Sequence, residues 1–417
     1  ATSRSLLLER ATKVGDDAAH VDAVALRLLA AARAGARVVW IRNTVREAQR
    51  AFRAVAARAG ELEHLLFHAR FRGCDRSRIE LAVLDRFGKS APAGGRVLIA
   101  TQVVEQSLDL DFDEMHTDLA PIDLLFQRAG RLHRHARVRL PGFARPRLVV
   151  HGPSDADIVA LRFGPSRFVY DAGTLWIADR ALRSRDALHL PADIRPLVEE
   201  SYHPDSRAAL LPLGGPALVA AEHSRASQLE ARRTKAKQCC IPPTSADPDG
   251  GAVLDDDDDA VQAFTRDGTS GTGLPFSWAG VGGRTVEAEN GSPVWPLDAE
   301  RADAWTLAGD LLDQTLSLPA RSEVEGAVAS NEQKPAWERW RKRFARFADE
   351  SGLGSRVVPL PMKREPDKHR GWLRMGGKLR RVLYSPTLGL LMPSEKDEEQ
   401  HQPHPEPESP RRAARCS

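Results

Sequence analysis

Two rhythms of apolar and polar residues alternate along the first third of the chain. HVDAVALRLLAAARAG (20–35) repeats apolar residues every three to four positions and stops at Gly35, which predicts an amphipathic helix. ARVVWIRN (36–43) is an apolar run of strand length. TVREAQRAFRAVAARAG (44–60) opens with a capping box, in which Thr44 and Glu47 satisfy free backbone N–H groups reciprocally. ELEHLLFHARF (61–71) carries a second strand, and Asp75 is placed to cap a helix that reaches Phe87. RVLIAT (96–101) predicts a third strand, its unbroken apolar run suited to burial on both faces. MHTDLA (115–120) predicts a fourth. Pro121 suits the first position of a helix that runs to about Gly130. RLVVHG (147–152) predicts a fifth strand. Strands alternating with helices give parallel strands joined by helical crossovers, an α/β fold built on an open sheet.

The rhythm then changes. Residues 153–239 are mostly helical in pattern, as in SRFVYDAGTLWIADRALRS (166–184) and ADIRPLVEESYH (192–203). Residues 240–275 are rich in Pro, Ser and Gly and hold the run Asp255 to Asp259, which reads as a flexible acidic linker, with mimicry of nucleic acid as the alternative. Residues 276–392 carry Trp278, Trp295, Trp305, Trp337, Trp340 and Trp372, enough large apolar surface for a small C-terminal domain. Its RVVPLP (356–361) and GWLRMGGKLRRVLYSPTLGLL (371–391) predict short strands and turns. RKRFARF (341–347) reads either as a basic, aromatic nucleic-acid surface or as the polar face and apolar stripe of one helix. Residues 393–417, charged and Pro-rich, predict a disordered tail. The organisation is therefore 1–152, 153–239, 240–275, 276–392 and 393–417.

Composition narrows the class. The chain has 417 residues, with 60 Lys and Arg against 57 Asp and Glu, and is 42% hydrophobic. That excludes a wholly disordered or fibrous chain and a uniformly basic DNA coat. No apolar run approaches the roughly 18 residues a membrane span requires, and the three leucines near the start are too few for a signal peptide. Cys74, Cys239, Cys240 and Cys416 form no CxxC pair. They read as reduced thiols of a cytoplasmic protein, and neither they nor the histidines predict a metal site.

The chemistry gathers in VLIATQVVEQSLDLDFD (97–113) and APIDLLFQRAGRLHRH (120–135). The loop after the third strand presents Gln102, Glu105, Gln106, Ser107, Asp109 and Asp111. Gln127, Arg131 and Arg134 follow i, i+4, i+7 and share one face if the helix continues. A glutamine and two arginines suit triphosphate hydrolysis: planar guanidiniums offset charge on the transferring phosphoryl group, and the amide orients a water. A solvated basic helix edge is the alternative.

QRAGRLHRH (127–135) resembles the last conserved motif of superfamily 2 helicases. ATQVVEQSLDLDFD (100–113) resembles the preceding motif in the variant of the CRISPR-associated helicase–nuclease of type I systems. Further points of resemblance are Asn43-Thr44, the set His68, Arg70, Phe71, Asp75 and Arg76, DIRPLVEESYH (193–203), AFTRDG (263–268) and VVPLP…YSPTLGLL. The resemblance implies a RecA-like second motor lobe followed by the family's C-terminal domain. It implies ATP as cofactor, and Mg²⁺ held mainly by a first lobe. It also implies single-stranded DNA and an RNA-guided CRISPR surveillance complex as partners in antiviral defence. Residue by residue, it places Gln127, Arg131 and Arg134 at the nucleotide phosphates, the two arginines as fingers. Arg128 would join the nucleotide site, and Asp109 would lie near the ribose. Thr44, Arg70 and Thr101 would contact the DNA backbone.

The chain also departs from the family. It has no G-x-x-x-x-G-K-[ST]; FGKS (87–90) has Val83 where the first glycine belongs. DEMH (113–116) lies after the motif of the third-strand loop, where an acidic metal box has no place, and no adjacent His-Asp pair marks a nuclease. The expectation is a C-terminal half, inactive alone, whose first motor lobe and nuclease domain lie outside this chain. A stand-alone non-catalytic nucleic-acid-binding fragment and a superfamily 2 helicase lobe unrelated to CRISPR are the competing readings.

Overall fold

The computed structural model describes residues 3–12, 17–105 and 108–238, and further on 270–279, 285–287, 294–296, 315–320, 324–327, 342, 344–347, 357–364, 369–375 and 378–392. The motor region runs β1 (Arg4–Thr12), α1 (Asp17–Arg33), β2 (Arg37–Ile41), α2 (Val45–Ala59), β3 (His64–Phe67), α3 (Gly73–Phe87), β4 (Arg96–Ala100), β5 (Glu114–Asp118), α4 (Ile122–Ala129) and β6 (Arg147–Gly152). After it come α5 (Asp155–Val159), α6 (Ala172–Arg183), β7 (Ala187–Leu190), α7 (Ile194–Tyr202), α8 (Pro204–Leu210) and α9 (Pro216–Gln238).

The strands form one sheet in the order β3-β4-β2-β5-β6-β1-β7, parallel except for β7. Its strands are apolar on both faces because both faces are covered. In β2, Val39 and Ile41 pack with α3, α4 and α6, while Val38 and Trp40 pack with α1 and α2; β4 divides Leu98 and Ala100 from Val97 and Ile99 in the same way. Thr44 caps α2 as expected, its Oγ1 accepting from Glu47 N (3.3 Å), while the Glu47 carboxylate accepts from the Thr44 hydroxyl (2.9 Å).

Several expectations shift. β1 and β7 are additional strands. Three consecutive leucines hide the period of two in β1, yet Leu6 and Leu8 point inward and β1 closes the sheet between β6 and β7. Arg72, not Asp75, is the residue before α3; Asp75 sits in the first turn and binds the Arg72 side chain. α4 ends at Ala129, and His133 takes a left-handed φ of 47°, so the helix does not carry on through Arg131 and Arg134.

Beyond the helices lie β8 (Ser270–Ala279), β9 (Thr285–Glu287), β10 (Val294–Pro296), β11 (Leu316–Ala320), β12 (Val324–Ala327), β13 (Val357–Pro361), β14 (Lys363–Arg364), β15 (His369–Met375), β16 (Lys378–Ser385) and β17 (Gly389–Leu391). Residues 270–275 thus belong to β8, within the stretch expected to be linker. The rest of the expected linker, 240–269, the tail and three of the four cysteines lie outside the described residues. Among the described residues, a C-terminal core cluster is formed by Leu360, Met362, Leu373, Val382, Tyr384 and Leu390; of the six tryptophans only the side chain of Trp372 is among the described ones, and it is half-buried. Phe344 and Phe347 are buried in helical residues, as the apolar-stripe reading of 341–347 requires.

A buried polar seam joins α1 to the sheet. Glu114 accepts from His116 Nε2 (2.8 Å), which leaves His116 Nδ1 to accept from His151 Nε2 (2.9 Å). His20 of α1 packs edge-on to His151. Burial holds the pKa values of His116 and His151 below the ordinary range and that of His68 down to about 3.

Two predictions follow from this packing. Leu6→Ala empties a site that is 0% exposed, and the urea midpoint should show a loss of about 2–5 kcal/mol; a change below about 0.5 kcal/mol means β1 is not in the sheet. The histidines protonate near pH 6.5 when unfolded but stay neutral when folded. Stability should therefore be complete above about pH 6.5 and fall as the pH drops from there toward 3, with His116→Asn flattening the decline.

Candidate nucleic-acid rim and nucleotide flank

In open α/β sheets ligands gather beyond the carboxyl ends of the strands. Three adjacent strands, β3, β4 and β2, end here beside one another. Arg70 follows β3, Thr101 follows β4 directly, and Thr44 follows β2, so one rim carries all three residues assigned to a DNA backbone. Backbone hydrogen bonds fix their spacing: Thr101 N donates to Phe67 O (3.1 Å), and Arg42 N to Ala100 O (2.8 Å). Gln102 Nε2 donates to Asn43 O (2.8 Å). Thr44 and Arg70 are half-buried and Thr101 is buried. Arg70 has no acidic partner among the described residues, and desolvation lowers its pKa.

The second group lies elsewhere. α4 starts at the rim and runs back antiparallel to the strands, so eight residues at about 1.5 Å each carry its end some 12 Å down the flank of the lobe. Gln127 is exposed there. Arg131 does not share a helical face with it; the chain turns, and Arg131 folds back so that Nη1 donates to Gln127 O (2.8 Å) and Nη2 to Glu105 O (2.5 Å). Both acceptors are neutral carbonyls. Its Nε is a buried donor without a partner among the described residues. Arg134 is half-exposed and pairs with exposed Asp109 at 2.6 Å, which His135 also contacts. Gln127, Arg131, Arg134 and Asp109 therefore form one neighbourhood, but on the flank and not at the rim.

Arg128 has a different place from the one expected for a nucleotide ligand. It is 0% exposed. Nε donates to Glu105 Oε1 (2.6 Å) and Nη1 to Thr117 Oγ1 (2.5 Å), with longer contacts to Asn43 Oδ1 and Tyr170 Oη. No face of the guanidinium is left for a ligand. Its work is to tie the loops after β2 and β4 to β5 and to the helical extension. Reading every residue of Q-R-A-G-R as a surface group missed this; the apolar neighbours Phe126 and Ala129 were the available signal.

Arg137, Arg139 and Arg147 are also spent on internal ion pairs. Arg137 and Arg139 each bind both Asp111 and Asp113 at 2.7–2.8 Å, and Arg147 binds Glu114. DEMH spans the start of β5, with Glu114 and His116 paired to each other; FGKS holds the last residue of α3 and the turn after it. Among the described residues no three His, Cys, Asp or Glu side chains are grouped to hold a metal ion, and no helix is long and apolar enough to cross a membrane.

Residues 34–137, which span both rim and flank, match the family described as CRISPR-associated nuclease/helicase Cas3, C-terminal. The CRISPR-associated endonuclease/helicase Cas3 of Thermus thermophilus is 51% identical over 141 residues, 33% of this chain and 15% of that protein. Over this segment the chain is similar to the C-terminal part of Cas3. The crystal structure of T. fusca Cas3 with ATP superposes with a TM-score of 0.68 and 25% identity, covering 93% of this chain and 42% of that one. A Cas3 chain from a CRISPR RNA-guided surveillance complex in a pre-nicking state gives 0.67 and 27%, over 93% and 44%. The chain therefore spans less than half the length of the Cas3 structures it matches, and the likeness to them extends past the matched motor segment into the helices and the C-terminal sheets.

Substitutions should separate the buried arginine from the exposed one. Arg128→Met leaves Glu105 buried and unpaired and should cost about 3–5 kcal/mol in denaturant unfolding. Arg134→Ala, at a side chain 44% exposed, should stay within about 0.5 kcal/mol of the unmodified chain.

Proposed function

We propose that this chain is the second motor lobe and C-terminal domain of an ATP-driven translocase on single-stranded DNA in CRISPR defence. The observation that carries the reading is Arg131. Its guanidinium is held by two carbonyl oxygens and by no carboxylate, so its charge is positioned without being neutralised. Arg131 is only 6% exposed, so an incoming phosphate meets it through Nε, unpartnered among the described residues, or by displacing a carbonyl. The ATP named with the T. fusca structure is the ligand the flank would meet from a neighbouring lobe.

In that role Arg131 and Arg134 offset charge on the transferring phosphoryl group, and the Gln127 amide orients the attacking water. Arg134 exchanges Asp109 for phosphate, which frees Asp109 to reach the ribose. In this reading Mg²⁺ is held mainly by the first lobe. The rim holds DNA by its backbone through Thr44, Arg70 and Thr101, since a motor must grip any sequence. Between rim and flank stands Glu105, whose carboxylate takes Arg128 and whose carbonyl takes Arg131, a direct link from DNA loop to finger. Recruitment by an RNA-guided surveillance complex is proposed from the relative seen in one.

The chain alone should show negligible ATPase activity. Adding a separately produced first motor lobe and single-stranded DNA should restore turnover. In that mixture Arg131→Ala should lower the rate by roughly 10³–10⁵, as loss of an arginine finger does, and Arg131→Lys should not rescue it. Turnover unaffected by either substitution removes Arg131 from the reaction.

A further inference from the structure

The set His68, Arg70, Phe71 and Asp75 faces the C-terminal domain as well as the rim. The turn between β16 and β17 lies against the loop that follows β3. Leu390 N donates to Arg70 O (2.9 Å). Arg70 N donates to His68 Nδ1 (3.1 Å), which fixes the neutral tautomer, and His68 Nε2 then donates to Leu388 O (3.1 Å). From α2, Gln49 Nε2 donates to both Leu388 O (2.6 Å) and Leu390 O (2.9 Å). Gly389 completes the fit. It has φ +69°, and a Cβ there would lie 2.6 Å from the His68 ring and 2.7 Å from Arg70 O. Beside it, Tyr384 donates to Asp75 and accepts from Arg72 N (3.3 Å), while the Arg72 guanidinium stacks over the Tyr384 ring at 5.0 Å.

The loop is thus held from two sides while the Arg70 guanidinium is left with no acidic partner among the described residues. Gripping the main chain and leaving the cation uncompensated suits placement for an anion. We propose that the turn Ser385–Leu391, with Gln49 and His68, is a positioning element that presents Arg70 to a DNA phosphate. The C-terminal domain then supplies part of the grip of the motor rim. This rests on the reading of the rim given above. Gln49, His68 and Gly389 are positioning residues and touch no DNA themselves.

The test is binding of the whole chain to a poly-thymidine oligonucleotide across a salt series. Arg70→Ala should lower the slope of log K against log salt by about 0.7, the loss of one phosphate contact on a single strand. Gln49→Leu and Gly389→Ala should each lower it by a similar amount, and neither should lower it further in the Arg70→Ala background. Tyr384→Phe keeps the ring stack and serves as the folding control, with hydrogen exchange at the Leu390 amide reporting whether the turn stays seated. If the turn variants weaken binding equally in both backgrounds, or leave the slope unchanged while the Leu390 amide exchanges freely, positioning is overturned. If Arg70→Ala leaves the slope unchanged, or the unmodified chain does not bind, the rim reading itself falls.

Discussion

One buried ion pair organises the motor region. Arg128 and Glu105 meet at 2.6 Å with both side chains buried, and such a pair is tolerable only when its remaining donors are also satisfied. They are, by Thr117 and Asn43 and a long contact to Tyr170. Each of these partners comes from a different segment. The pair therefore fixes the loops after β2 and β4 against β5 and the helical extension, and any displacement of one loop exposes a buried charge to loss of its partner. This is a stronger constraint on geometry than on stability, because apolar residues could fill the space at less cost.

The constraint has a chemical use. It separates two surfaces that the sequence presents as one run of motifs. The rim gathers groups at the ends of β2, β3 and β4; the flank gathers Gln127, Arg131 and Arg134 about one helix length away. Glu105 touches both, through its carboxylate and its carbonyl. In the proposed motor, that short link is where DNA occupancy and the finger position influence each other. The C-terminal turn adds a second external hold on the rim, at the loop carrying Arg70.

Much was legible in advance. The five central strands and their helices followed from apolar periodicity, and Thr44 caps α2 as read. The family resemblance lay in QRAGRLHRH and ATQVVEQSLDLDFD, and the matched segment contains both. What failed did so for identifiable reasons. A helical face through 127, 131 and 134 assumed that α4 persists past Gly130, but the bridge between Phe112 and Leu132 draws the chain aside. The resemblance put Arg128 at the nucleotide; only its partners, drawn from other segments of the fold, show that it is interior. Arg137 and Arg139 are likewise claimed by Asp111 and Asp113, from more than twenty residues away.

By itself the sequence determined the periods, caps and local chemistry, because those depend on residues a few positions apart. Tertiary structure alone decided which charges are spent inside and which remain free. Pairing depends on groups brought together across more than twenty residues, as with Glu105 and Arg128, or more than three hundred, as with Asp75 and Tyr384. A guanidinium has the same formula in both settings; its partner, and the water it has lost, make it a strut or a ligand.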